Sequence, residues 1–239
     1  MDRGIWAIWY DLPEQDEDDY LEWLHEQYIP EALSRHGFLW AAHVRNLTSE
    51  ERFQGAPPAF SLTHTDDSTV PAGNSYLLLF GAEHPHIFVD PSPAEMTAKL
   101  SAKEREMLDL RVSPRSHSFV EVERVEGPEV DTRAPGITPG PVIQLGTFNI
   151  SALENEDELS TWYSRSRLPL MEPMTGAVGA RKLVSISGWA KHAILYEFVS
   201  IEANQKYFVD NDRDWTGKVI KNLIHAPGSP TLGQRIWPA

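Results

Sequence analysis

The segment Trp23-Leu-His-Glu-Gln-Tyr-Ile-Pro30 has a counterpart 139 residues later, Trp162-Tyr-Ser-Arg-Ser-Arg-Leu-Pro169. Both segments continue without a gap to a glycine, Gly37 in the first and Gly176 in the second. Self-similarity at a fixed offset is the sequence signature of a duplicated structural unit. We therefore predict two tandem copies of one unit within the 239 residues.

Each copy has the same order of hydrophobic patterns. An apolar strand leads into an acidic turn and an amphipathic helix, followed by two strands, a second helix and a closing strand. Gly37 and Gly176 stand where a left-handed helix cap is expected, and Ser92 with Glu95 predicts a capping box. The predicted strands are 5–10, 38–44, 76–82 and 119–125, then 142–150, 177–185, 192–199 and 232–237; the predicted second helices are 92–108 and 201–225.

This order predicts an α+β fold of two tandem ferredoxin-like βαββαβ repeats, with antiparallel sheets packed as a pseudo-dimeric α+β barrel. The first repeat spans 1–126 and the second 142–239. The segment 127–141 between them is rich in proline and glycine, which is typical of a linker. A polar insertion at 45–74 separates two strands of the first repeat, and a loop of this length is either a functional lid or partly disordered.

The composition excludes several classes of function. The formal charge is −14, and no basic run is present to displace counterions from a phosphate backbone, so we expect no nucleic-acid partner. The chain has no cysteine, no signal-peptide pattern and no apolar run long enough to cross a bilayer. We therefore expect a cytoplasmic protein that does not bind membranes.

The repeated motifs resemble those of the dimeric α+β barrel superfamily in its fused form, in particular the EthD-like and stress-responsive barrel proteins. The resemblance is carried by Trp23, Ile29-Pro30 and Gly37-Phe38 in the first copy, and by Trp162-Tyr163, Leu168-Pro169, Gly176 and Ala180-Arg181 in the second. Those families often place a histidine just before the Ile-Pro pair. Here the position holds Tyr28 or Arg167, so that histidine's role does not transfer directly.

The candidate catalytic residues are those able to exchange protons near a pocket between helix and sheet. They are His25, Tyr28, His43 and His192. The candidate substrate-binding residues are cations able to hold an anionic oxygen and aromatic side chains able to line the pocket. They are Arg167, Arg181, Trp23, Trp162 and Tyr196. For each residue a purely structural role, in the core or in a surface ion pair, is also open.

The sequence predicts neither a metal site nor a dissociable cofactor. His84 and His86 lack a third ligand at a suitable spacing, and no phosphate-binding loop is present. Three functions stay open, the first being a cofactor-independent lyase, isomerase or oxygenase acting on an aromatic or polyketide-like metabolite. The second is a non-catalytic barrel that binds a small hydrophobic ligand or a partner. The third, implied by a resemblance to chlorite-dismutase-like proteins, is a haem protein with His192 or His225 as axial ligand. Further pairing into a homodimer is also left open.

Overall fold

Eight strands hydrogen-bond side by side into one closed barrel. The computed structural model describes residues 2–53, 60–133, 139–208 and 213–238. The strands are β1 Gly4–Asp11, β2 Phe38–Asn46, β3 Thr63–His64, β4 Tyr76–Ala82, β5 Val112–Glu126, β6 Val142–Ile150, β7 Ala177–Ser187, β8 His192–Phe198, β9 Leu223–His225 and β10 Thr231–Trp237. The barrel order is β10-β2-β4-β1-β5-β7-β8-β6, and β6 pairs with β10 to close it.

The barrel consists of two halves with the same strand order. The first half runs β5-β1-β4-β2 and the second β10-β6-β8-β7, so each closing strand lies beside the first strand of its own half. The halves join where β5 pairs with β7 and where β10 pairs with β2. The predicted α+β barrel is confirmed, whereas the boundaries of the two repeats and the linker stay predictions.

The helices cover the outside of the barrel. They are α1 Glu17–Trp23, α2 Ile29–Leu33, α3 Ser49–Phe53, α4 Pro93–Ala98, α5 Ala102–Asp109, α6 Glu156–Trp162, α7 Ile201–Tyr207 and α8 Arg213–Ile220. The capping box at Ser92 is confirmed, but the predicted helix 92–108 is two helices because Ser101 and Glu104 form a second capping box. The predicted helix 201–225 is also wrong at its end, since Leu223–His225 pairs with β6 as a strand; residues 209–212 lie outside the described part.

A wide helical turn precedes Pro30 and Pro169 at equivalent places in the two halves. Leu24–Tyr28 and Tyr163–Arg167 are π-helical, and the amide of Leu168 donates to Tyr163 O at 2.9 Å. Proline has no N–H and its ring crowds the preceding turn, so the helix widens where proline follows. Single π turns often occur at functional sites because they reorient side chains.

Alternate strand residues divide between the barrel interior and the helix-facing layer. The interior is filled by small and large apolar side chains that form one cluster: Ile5, Ala7, Trp9, Trp40, Ala42, Val44, Leu77, Leu79, Phe119, Ile143, Leu145, Leu183, Ala193 and Leu195. Two further clusters lie between the sheet and the helices, one in each half. A candidate site in either half therefore lies on the outer face of the barrel, under its first helix.

The insertion 45–74 is partly built into the barrel. Its first residues extend β2, and β3 pairs in parallel with β9, with Thr63 opposite Ile224. Residues 54–59 lie outside the described part, so a lid role stays a prediction. Among the described helices, none combines the length and apolar character that crossing a bilayer requires.

Candidate functional site

Two histidines predicted to be catalytic meet under the first helix. The π turn carries His25 over the barrel, and β2 directs His43 outward beneath it. His25 Nε2 lies 2.8 Å from His43 Nδ1, and His43 Nε2 lies 2.8 Å from the Tyr10 hydroxyl. The three side chains form one hydrogen-bonded chain from a half-buried imidazole to a fully buried phenol.

Aromatic rings enclose this chain. Tyr76 stacks on His43 with ring centroids 5.2 Å apart, and Trp237 lies over His25 at 6.4 Å. The Tyr76 hydroxyl donates to Glu17 Oε1 at 2.5 Å, which fixes its ring against the histidine. The ring of His43 is therefore tightly enclosed and held in one orientation.

Burial sets the protonation states of the chain. It lowers the pKa of His43 well below the ordinary histidine value, and the positive charges of Arg111 and of His25 when protonated lower it further. Burial also lowers the pKa of His25 and raises the pKa of Tyr10 well above its usual range. At neutral pH both imidazoles are thus uncharged and the phenol is protonated. The hydrogen bonds can run from Tyr10 to His25 or in reverse, depending on the tautomer.

A cation that was not predicted from the sequence lies against the same phenol. Arg111, between α5 and β5, donates from Nε to the Tyr20 hydroxyl at 2.6 Å, and its guanidinium carbon is 4.7 Å from the Tyr10 ring centroid. Its Nη2 is buried and has no hydrogen-bond partner among the described residues. A buried cation with an unused donor is costly unless an anion or a π system compensates it. In the sequence, the only feature that could have pointed to Arg111 is its position between a predicted helix and a predicted strand.

Tyr28, the third predicted catalytic residue of this half, forms part of the aromatic wall. Its ring centroid is 5.2 Å from that of Trp23 and 5.8 Å from the Arg111 guanidinium carbon. Burial raises the pKa of the Tyr28 phenol. Trp23, predicted to bind substrate, is itself buried in the same cluster.

His192 lies in the other half, apart from the two paired histidines. Its Nε2 is 3.0 Å from Glu156 Oε2, and Lys191 Nζ is 2.7 Å from Glu156 Oε1. Glu156 begins α6 as Glu17 begins α1, and the two carboxylates bind the first residues of β8 and β4 respectively. The four predicted catalytic residues therefore divide between two sites.

Three predicted substrate-binding residues come together in the second half. Arg167 donates from Nε to the Tyr196 hydroxyl at 2.9 Å, and its guanidinium carbon lies 4.0 Å from the Phe208 ring centroid and 5.9 Å from that of Trp162. These contacts hold Arg167 within an aromatic stack. Whether it also holds a ligand oxygen stays a prediction.

Arg181 points into the barrel, on the face of β7 opposite to the helices. Its Nη1 lies 2.6 Å from Asp2 Oδ2 and its Nε 3.2 Å from Glu197 Oε1, and all three side chains are almost completely buried. Because successive strand residues point to opposite faces, Lys182 rather than Arg181 occupies the helix-facing place that corresponds to His43.

The arrangement of strands also occurs in other proteins. No family model matches the chain, and no curated protein matches its sequence. Solved structures do match: an anthrone oxidase-like protein has a TM-score of 0.61 at 12% identity, covering 98% of this chain and 91% of its own. A candidate monooxygenase of Fusobacterium nucleatum has a TM-score of 0.57 at 9% identity, covering 98% and 93%. A dye-decolorizing peroxidase of Bacteroides thetaiotaomicron has a TM-score of 0.55 at 10% identity, covering 98% and 93%.

The chain has the dimeric α+β barrel fold. At these identities the likeness establishes the fold alone, and membership of the EthD-like branch stays a prediction. The two halves of this α+β barrel have the same strand order.

A cleft opens beside the first-half site of the α+β barrel. It has a volume of about 1060 Å³ and lies between the insertion and β10. Glu17, Arg45 and Tyr76 form one wall, and Phe60 and Ile236 contribute apolar surface. Tyr76 therefore separates the cleft from His43, against which it stacks.

No group of three histidine and acidic side chains able to hold a metal exists in the described part of the chain. His84 and His86 stack on each other at 4.9 Å, and His84 Nδ1 accepts a hydrogen bond from the His86 amide. This pair therefore caps a short 3₁₀ turn of the barrel.

Proposed function

We propose that the protein is an acid–base enzyme without a dissociable cofactor, acting on a small aromatic or polyketide-like phenol or enol. The observation that supports this most directly is the hydrogen-bonded chain His25–His43–Tyr10. A surface histidine needs no such support, whereas a proton-transferring imidazole needs a fixed orientation and tautomer. His25 is the proton acceptor, and His43 and Tyr10 hold it in place.

The physical state of each group suits this role. His25 is uncharged at neutral pH because burial lowers its pKa, and in the tautomer whose Nε2–H donates to His43 its Nδ1 lone pair is available for a proton. His43 is too deeply buried to take a charge itself, which leaves the proton on the half-exposed ring. The Arg111 guanidinium, 4.7 Å from the Tyr10 ring, supplies the positive field that stabilises a developing oxyanion.

The same proton removal begins an elimination, an isomerisation or the reaction of an electron-rich phenolate with dioxygen. Among these we place oxygenation first for testing. The supporting argument is the fold shared with proteins described as anthrone oxidase-like and as a candidate monooxygenase. At 12% and 9% identity this is an argument from analogy.

The test is turnover of a panel of anthrones and phenols, with product formation and dioxygen uptake followed in parallel. His25→Gln should lower kcat/KM by about 10²- to 10⁴-fold, the usual contribution of a positioned acid–base group. His36→Gln, at an exposed position eleven residues further along, is the matched control and should leave the rate unchanged. Equal rates for wild type and His25→Gln would refute the assignment.

A non-catalytic barrel is the second candidate, and dense aromatic packing favours it. Trp23, Tyr28 and Phe80 fill the space under the first helix with ring centroids 5.2–6.4 Å apart. Ligand-induced stabilisation by phenols, with no turnover of any of them and no effect of His25→Gln, would select this function instead.

The haem alternative fits the residues poorly. His192 Nε2 is bonded to Glu156, and the Phe148 ring stacks at 5.8 Å on His192 and lies 5.6 Å from His225. His225 Nδ1 is 3.3 Å from Thr63 O. One ring nitrogen of each histidine is therefore engaged by a protein oxygen and Phe148 packs against both rings, so we derive no step through haem.

A further inference from the structure

The helix-facing layer of the second half contains a buried lysine whose amine rests on an aromatic ring. Lys182 is 7% exposed and stands on β7 where His43 stands on β2. Its Nζ lies 5.2 Å from the Tyr163 ring centroid, and among the described residues it makes no hydrogen bond and no ion pair. A lysine this buried normally has a carboxylate in contact.

Two carboxylates are close enough to influence Lys182, but both are engaged elsewhere. Glu156 binds Lys191 at 2.7 Å and His192 at 3.0 Å. Glu123, opposite Lys182 on β5, accepts a hydrogen bond from the Ser164 hydroxyl at 2.8 Å. A structural salt bridge would bring Nζ against one of these oxygens. The amine instead lies over the face of Tyr163.

We propose that Lys182 is a covalent binding site for a small aromatic aldehyde or ketone. The amine nitrogen attacks the carbonyl carbon, a C–N bond forms, and the carbonyl oxygen leaves as water with both amine protons, giving a neutral imine. No oxidant or reductant is required. The step needs an uncharged amine in an apolar site, which is the usual way a lysine becomes a nucleophile.

The surroundings support both the amine and the aromatic class. Burial lowers the pKa of Lys182, although the charges of Glu123 and Glu156 oppose the shift. Tyr163 and Phe148 stack at 6.4 Å and form the buried aromatic surroundings of the amine. The hydrogen-bonded pair of His192 and Glu156 supplies groups able to move protons as water departs. This site lies in the other half from His25 and does not depend on the function proposed there.

The test is reductive trapping on the full-length protein. The native protein is incubated at neutral pH with 2-hydroxybenzaldehyde and sodium cyanoborohydride, digested, and mapped by mass spectrometry. We expect Lys182 to be modified about tenfold faster than Lys191, although Lys191 is far more exposed, because an apolar site favours the nucleophilic amine. After unfolding in urea the two lysines should react at similar rates.

Two variants complete the test. Lys182→Arg keeps a long basic side chain but removes the nucleophilic amine and should abolish the rapid adduct, and Lys191→Arg should leave it intact. Native labelling of Lys191 as fast as that of Lys182, or a rapid adduct that persists in Lys182→Arg, would overturn the proposal. The wild-type peptide map decides the question by itself even if Lys182→Arg fails to fold.

Discussion

His25 and His43 are linked by a 2.8 Å hydrogen bond that joins the helical layer to the barrel wall. The residues come from a π-helical turn and from β2, and no pattern in the sequence required that they touch. The second hydrogen bond of this chain joins His43 to Tyr10, whose side chain is completely buried. The orientation of His43, and with it the bond to His25, therefore depends on a phenol that has no contact with solvent.

Tyr10→Phe tests the inner end of this chain. The substitution removes the hydroxyl group and leaves His43 Nε2 buried without a partner, which should reduce the free energy of unfolding by about 1–3 kcal/mol. The measurement is urea denaturation followed by tryptophan fluorescence. Tyr207→Phe, on an exposed ring, is the control and should change it by less than about 0.5 kcal/mol. Equal losses in both variants would contradict the prediction.

Acid should destabilise the protein well before its carboxylates are protonated. Burial lowers the pKa of His117 and of His225 to about 4, and also lowers those of His43 and His192. Since the unfolded chain binds these protons near pH 6.5, stability is complete above that pH and declines below it. For His117 and His225 the decline extends to about pH 4, at about 1.4 kcal/mol per pH unit each.

Urea midpoints at pH 7 and pH 5 measure this loss. His117→Asn should reduce the difference between the two midpoints, even if it lowers both of them. A midpoint that does not change between pH 7 and pH 5 would show that the folded and unfolded states take up equal numbers of protons, and would contradict the prediction.

Arg181→Met should be strongly destabilising. The substitution removes the cation that Asp2 and Glu197 share and leaves them with Arg124 and Arg133 alone, and removing one partner from a buried ion pair costs up to about 3–5 kcal/mol. Arg45→Met provides the matched control, because the Arg45–Glu17 pair is solvent-exposed and is expected to contribute at most about 1 kcal/mol. Thermal unfolding of both variants distinguishes a buried network from a surface pair; similar shifts would exclude the network.

Two glycine-to-alanine substitutions should change the free energy of unfolding in opposite directions. Gly176 has φ +78°, and an added Cβ would lie 2.5 Å from Ala203 Cβ, so Gly176→Ala should destabilise by about 1–3 kcal/mol. Gly217 lies within α8 with its nearest neighbour at 3.5 Å, so Gly217→Ala should stabilise by about 0.5–1 kcal/mol. The measurement is calorimetry, and a change of the same sign in both variants would contradict the predicted contrast.

Local signals predicted most of the fold. The strands 76–82 and 142–150 have the observed bounds, and Gly37 and Gly176 take the left-handed conformation that helix caps require. The repeated Trp-to-Pro segment located the two leading helices. The errors arose where one sequence pattern is compatible with two structures. At Ser101, for example, a capping box starts a second helix within the segment that we predicted as one helix.

The site was less predictable because tertiary contacts build it. His25 and His43 were identified by residue type, yet their pairing depends on a π turn that the sequence pattern does not specify. Tyr10 shares the outer face of its strand with Trp6 and Ile8, so nothing distinguished it from ordinary core. Lys182 and Arg181 are neighbours in sequence, and only the strand register decides which one faces the helices.

The continuous chain has a consequence for how such a protein can diverge. In a barrel assembled from two identical subunits, every substitution appears twice, so the two sites must remain alike. Here β5–β7 and β10–β2 join two halves encoded separately, and His43 in one corresponds to Lys182 in the other. Because the two halves belong to one continuous chain, a substitution in one half need not recur in the other, so the two halves can differ in their helix-facing residues while sharing one barrel.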